Sequence, residues 1–134
     1  MIRRIVVDTN VLIGFLGGKE AFSEAIENAE AVVLHPVVYG EYLAGVDEST
    51  EIGRLLRRQL DEFASSPPVI LAEVTAETAV FYSKIHRFLK RSGKMIPQND
   101  IWIAATALEN GYSIATLDSH FDLIPTLSLC HSGS

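Results

Sequence analysis

Apolar and polar residues alternate along the chain in blocks that switch between strand length and helix length. Arg3–Val7 is rich in Ile and Val and stops at Asp8, which predicts a first strand. Ala21–Ala29 carries Phe22, Ala25, Ile26 and Ala29 on one side and predicts a helix. Ala31–Leu34 is a second apolar run of strand length. His35-Pro36 then suits a strand-to-helix junction, since proline is at home in a first helical turn, and Val37–Ala44 is the predicted helix, with Gly45 near its end. Thr50–Ala64 places Ile52, Leu55, Leu56, Leu60 and Phe63 at helical spacing, and Ser65-Ser66-Pro67-Pro68 breaks it. Val69–Leu71 is a third strand. Thr75–Ser92 is a long helix opened by Thr75 and closed by Gly93. Asn99–Asn110 is another helix, ended by Asn110-Gly111. Tyr112–Thr116 and Leu127–Cys130 are predicted as the fourth and fifth strands.

Strands that alternate with helices favour an α/β fold, a parallel sheet covered by helices on both faces. A chain of 134 residues, 48% of them hydrophobic, suits one such domain, expected over residues 1–130 with 131–134 as a frayed tail. No apolar run approaches the roughly 20 residues of a membrane-spanning helix. The apolar run before Asp8 is too short for a secretory leader. Cys130 is the only cysteine, so no intrachain disulfide forms and a cytoplasmic setting is expected.

Four acids stand out against this frame. Ligands of open parallel sheets bind beyond the carboxyl ends of the strands. Asp8 sits where the first strand stops, and Asp118 follows the fourth by two residues. Asp100 opens a helix that is apolar for its next five residues, and Glu41 lies among Val37, Val38, Tyr42 and Leu43. Each has an ordinary reading: Asp8 as a helix cap, Asp100 as a first-turn acid, Asp118 as a turn residue, Glu41 facing solvent. Together they are less ordinary, because three strand–helix junctions deliver acids to one end of one sheet. Gathered carboxylates repel unless they stay protonated or hold a cation. Mg²⁺ or Mn²⁺ suits oxygen donors, and a site without His or Cys is poor for zinc. Such a centre fits in-line displacement at phosphorus.

The segments around these acids resemble the motifs of PIN-domain nucleases. Val7-Asp8-Thr9-Asn10-Val11-Leu12-Ile13 is similar to the family's opening motif, and Pro36-Val37-Val38-Tyr39-Gly40-Glu41-Tyr42-Leu43 to its second. Asn99-Asp100 leading into Ile101-Trp102-Ile103-Ala104-Ala105 is similar to the third, and Thr116-Leu117-Asp118-Ser119-His120-Phe121 to the fourth. Four motifs in order on a chain of this length make a strong signal, where one alone is weak. The single-domain layout looks most like the VapC toxins of bacterial type II toxin–antitoxin pairs. The resemblance implies a five-stranded sheet in the order 3-2-1-4-5 and Mg²⁺- or Mn²⁺-dependent cleavage of RNA. It also implies inhibition by a cognate antitoxin, and a homodimer. It makes Asp8, Glu41, Asp100 and Asp118 the catalytic metal ligands, supported by Thr9, Asn10, Asn99 and Thr116. Asp122 is either a fifth acid or a turn residue, with the turn favoured. Gly17-Gly18 implies a first helix that is short or followed by a loop.

The net charge of −6 argues against a generic nucleic-acid coat. Five of the eleven basic residues nevertheless cluster, as Lys84, Arg87, Lys90, Arg91 and Lys94. At about 100° per residue they fall within a third of a helix circumference, with Phe81, Ile85, Phe88 and Leu89 on the other side. That stripe is either a solvated face or a phosphate track for RNA. Arg54, Arg57 and Arg58 form a smaller group that also suits an acidic antitoxin. His120 has no evident partner and is read as a surface or capping residue. His35 and His86 show no ligand spacing, and Trp102, Tyr39 and Tyr42 suit core or dimer contacts. A haloacid-dehalogenase-type phosphatase needs an acid two residues after Asp8, where Asn10 stands. A non-toxin PIN nuclease of RNA processing and a non-catalytic PIN scaffold are the remaining alternatives.

Overall fold

The computed structural model describes residues 3–19 and 21–130, so the expected tail at 131–134 lies outside the described residues. The strands are β1 (Arg4–Val7), β2 (Ala31–Leu34), β3 (Val69–Leu71), β4 (Ser113–Ala115) and β5 (Ser128–Cys130). They form one parallel sheet in the order β3-β2-β1-β4-β5. Among the described residues six helices connect them: α1 (Thr9–Leu16), α2 (Ser23–Glu27), α3 (Pro36–Ala44), α4 (Glu51–Ser65), α5 (Ala76–Ser92) and α6 (Gln98–Asn110). A 3₁₀ helix, Ser119–Leu123, stands between β4 and β5.

Successive residues of a strand point to opposite faces of the sheet. Ile5, Val6 and Val7 of β1 are all fully buried, as are Val33 and Leu34 of β2. Both faces of the central strands are therefore covered, and their near-continuous apolar runs follow from that. At the edge, Leu71 of β3 is 61% exposed. Among the described residues no helix is long and apolar enough to cross a membrane.

Three sequence expectations change. The helix expected over Ala21–Ala29 is confined to Ser23–Glu27, because Phe22 takes a left-handed backbone (φ 67°) that breaks the start while burying its ring. Phe88 was expected on the apolar side of α5 but is 39% exposed. It stands only about 40° from Lys84 on the wheel, so it falls at the boundary of the buried face. Lys94 lies beyond α5, past Gly93 in a left-handed turn (φ 69°), so its wheel position no longer applies.

A buried polar contact ties two of the site-bearing helices together. His35, fully buried at the β2–α3 junction, caps α3: its Nδ1 accepts from the Val37 amide at 3.0 Å. Its Nε2 lies 2.8 Å from the Thr106 hydroxyl of α6, which itself donates to the Trp102 carbonyl. Thr106 has thus spent its hydrogen, so Nε2 carries the imidazole proton and the ring is neutral. Burial holds its pKa down to about 4.

Folded His35 takes up a second proton only near pH 4, whereas an unfolded histidine does so near 6.5. Between these values the unfolded chain binds more protons, so stability falls as pH falls through the window. We predict a loss of about 3 kcal/mol from this residue between pH 6.5 and 4. Urea unfolding of wild type and His35→Asn across that range checks it. The variant should lack this part of the pH dependence, and equal slopes would contradict the assignment.

Candidate active site

Parallel strands point all their carboxyl ends one way, and the acids gather there. β1 ends at Val7, and the next residue, Asp8, caps α1. Its amide donates to the Ala115 carbonyl at 2.9 Å, which locks the β1 exit against the end of β4. Its Oδ1 accepts from the Thr9 amide at 2.8 Å and its Oδ2 from the Thr116 hydroxyl at 2.7 Å. The same Thr116 oxygen accepts from the Asp118 amide at 2.9 Å, so one hydroxyl couples two of the acids. The ordinary reading of Asp8 as a cap and the functional reading are both satisfied by one side chain.

Glu41 arrives from α3 and sits at the exposed rim. Thr9 donates to its Oε1 at 2.7 Å and Asn99 to its Oε2 at 3.3 Å. Asp100 stands in the first turn of α6, where the helix dipole favours an anion. Asn10 accepts from the Leu117 amide at 3.3 Å and steadies the β4 exit. Thr9, Asn10, Asn99 and Thr116 thus each bond an acid or the segment that carries one. Asp122 does not: it is exposed on the 3₁₀ helix and borders a cleft with Thr116 and Asp118.

The electrostatics identify these acids as neighbours. Burial pushes the Asp8 carboxyl up, the Thr116 and Thr9 bonds pull it back, and repulsion from Asp118 and Glu41 pushes it further. Burial likewise raises Asp100, with a bond from His120 opposing it and the charges of Asp8 and Asp118 adding to the rise. Each acid therefore feels at least one other.

His120 departs from its sequence reading as a surface or capping residue. Its Nδ1 lies 2.9 Å from Asp100 Oδ2 and 3.0 Å from Asp118 Oδ2. The bond to Asp100, with the two nearby charges, raises its pKa. The local sequence explains the placement. Asp118 caps the 3₁₀ helix by accepting from the His120 amide at 2.9 Å, and the next residue, Phe121, is fully buried. The anchored phenylalanine and the tight turn leave the imidazole facing back over the acids. An Asp-x-His-Phe run with an amphipathic break is the sequence signal for this, and it is short.

The donor set fits a divalent cation. Asp100, Asp118 and His120 offer three ligand atoms within 4.8 Å of one another. Burial and repulsion from neighbouring acids push the Asp8 and Asp100 carboxyls up, which a bound cation would relieve.

Comparison with known proteins gives the family and the fold. A family model described as PIN domain matches residues 5–127. The chain is 31% identical over 129 residues to a Rickettsia bellii protein named Ribonuclease VapC, covering 93% of both chains. It is 28% identical to Ribonuclease VapC1 of Methanocaldococcus jannaschii, covering 94% of this chain and 85% of that one. Among solved structures it is similar to VapBC2 of Rickettsia felis bound to promoter DNA, with a TM-score of 0.83 and 21% identity over 96% of this chain and 98% of that chain. VapBC-1 of nontypeable Haemophilus influenzae gives 0.80 and 22%, over 96% and 97%. The structural likenesses speak to the fold.

Removing one of these charges should relieve strain when no cation is present. An acid whose folded pKa is raised costs stability above that pKa, and the cost fades as pH falls through it. Asp8→Asn should therefore melt about 2–5 °C higher than wild type at pH 7.5 in chelator. It should also gain less than wild type on adding Mn²⁺. Differential scanning fluorimetry reads both, and a clear drop in chelator would mark Asp8 as a purely structural residue.

Proposed function

Because the chain belongs to the PIN-domain family and, within it, to the VapC ribonucleases, we propose that it is an endoribonuclease dependent on Mg²⁺ or Mn²⁺. It acts as the toxin of a pair neutralised by a cognate antitoxin. The observation that carries this reading is the convergence of Asp8, Glu41, Asp100 and Asp118 at the carboxyl end of one sheet, with Asp8 pushed up by burial and the charges of Asp118 and Glu41, and Asp100 by burial and the charges of Asp8 and Asp118. A haloacid-dehalogenase-type phosphatase does not fit, since Asn10 stands where its second acid belongs and accepts a backbone amide instead.

Asp8, Glu41, Asp100 and Asp118 would hold the ion. When bound, such an ion supplies neutralisation of phosphate charge and acidification of water for in-line attack at phosphorus. The chain's own contribution is orientation. The Thr9 amide and Thr116 hydroxyl fix both oxygens of Asp8, and the Thr9 hydroxyl with Asn99 fixes both oxygens of Glu41. Carboxylates held this way lose little freedom when they close on a cation and a phosphodiester. Glu41 is exposed while Asp8 is buried, so the group of acids reaches from the interior to solvent, where an extended substrate could meet it.

The basic stripe supports RNA as that substrate. Lys84, Arg87, Lys90, Arg91 and Lys94 are exposed, and among the described residues none of them is ion-paired. α5 and α6 pack along each other and are joined by residues 93–97 alone, so the end of α5 lies at most about 20 Å from the start of α6. Lys90, Arg91 and Lys94 therefore approach the end of α6 that carries Asp100. Arg57 is different, being tied to Glu48 at 3.3 Å and Asp61 at 3.1 Å.

The antitoxin part of the reading is supported by the VapC names of the relatives and by the toxin–antitoxin assemblies among the similar structures. A homodimer belongs to the same proposal.

Asp8→Asn should keep the fold and lose Mn²⁺-dependent cleavage by about 100-fold or more, read by RNA-end mapping with Asp100→Ala as a second inactive control. Full cleavage by a pure Asp8→Asn sample would refute the assignment. Replacing Lys90, Arg91 and Lys94 together by Ala should flatten the slope of log K against log salt for single-stranded RNA by about 2, with kcat at saturating RNA unchanged. An unchanged slope would make the stripe a solvated face.

A further inference from the structure

We propose that His120 is itself a ligand of the metal site, adding a nitrogen donor beside Asp100 and Asp118 and biasing the site toward transition-metal ions over Mg²⁺. This rests on the reading that the acid cluster binds a divalent ion. It goes further by naming a ligand of a different kind.

Geometry carries the inference. His120 Nδ1 faces two carboxylate oxygens almost symmetrically, at 2.9 Å and 3.0 Å. One ring nitrogen carries one hydrogen, and one hydrogen serves only one of two such acceptors well. A cation at the centre of the three atoms serves all of them. In an octahedral shell with bonds of about 2.1 Å, adjacent donors stand about 3.0 Å apart. The two separations from His120 match neighbouring corners of such a shell, and all three ligand atoms lie within 4.8 Å of one another.

The imidazole is also held for the purpose. The Asp118 cap fixes the His120 backbone, and buried Phe121 fixes the turn. The side chain is 42% exposed, so an ion reaches Nδ1 without opening the core. With Nδ1 on the ion, the ring keeps its hydrogen on Nε2. Oxygen-only sites suit Mg²⁺, whereas an imidazole nitrogen binds divalent ions of the first transition row, Mn²⁺ the weakest of them, better than it binds Mg²⁺.

Mn²⁺ is the probe. Metal-free protein loaded with Mn²⁺ is examined by pulsed EPR for coupling to a directly bound ¹⁴N. Mn²⁺ and Mg²⁺ affinities are measured by calorimetry on wild type and His120→Asn. We expect nitrogen coupling in wild type and none in the variant. Asn still offers an oxygen, so Mn²⁺ affinity should fall about tenfold or more while Mg²⁺ affinity changes less than about threefold. Labelling wild-type histidines with ¹⁵N gives the coupling test without any substitution, should the variant fold poorly. Bound Mn²⁺ with no nitrogen coupling, or equal loss for both ions, overturns the ligand assignment and leaves the acid cluster's metal binding standing. No Mn²⁺ uptake by folded wild type overturns both.

Discussion

Carboxylates held close together repel, and burial strengthens the repulsion by removing the water that would screen it. Asp8 is the deepest of the four acids at 5% exposure, and its two hydrogen bonds offset only part of the cost. Much of the surrounding structure is a response to that cost. Thr116 bridges Asp8 and the Asp118 amide, Thr9 and Asn99 hold Glu41, and His120 stands between Asp100 and Asp118. On the proposed reading a cation would offset that cost, because a ligand that binds only the folded state stabilises that state.

The sheet makes this arrangement possible. Parallel strands bring the exits of β1 and β4 side by side, and the Asp8 amide bonded to the Ala115 carbonyl fixes their register at the point where the acids begin. The helices bring the rest. α3 carries Glu41 and α6 carries Asp100, and the neutral His35–Thr106 contact joins the start of one to the middle of the other. A contact deep in the core thus helps set the distance between acids at the surface.

Most of the strands and helices were legible because their apolar periods were clean. β2 and β3 have the bounds read from sequence, and α4 and α5 differ by a residue at most. α1 was less distinct, because Val11, Leu12 and Ile13 are all apolar although Ile13 is 56% exposed. The start of α2 was misplaced because Phe22 takes a backbone conformation uncommon outside glycine. The four acids were legible as a group from their places at strand and helix ends. His120 was not, since its role depends on a 3₁₀ helix whose five residues show no usable period. Reading it required knowing that Asp100, twenty residues earlier, stands opposite.

The central claim is that side chains from four separate segments share one divalent cation. Anomalous diffraction from crystals grown with Mn²⁺ tests it most directly. The account predicts a strong peak within about 2.5 Å of oxygens from Asp8, Glu41, Asp100 and Asp118. Density for manganese only elsewhere, or none at saturating concentration, would contradict it.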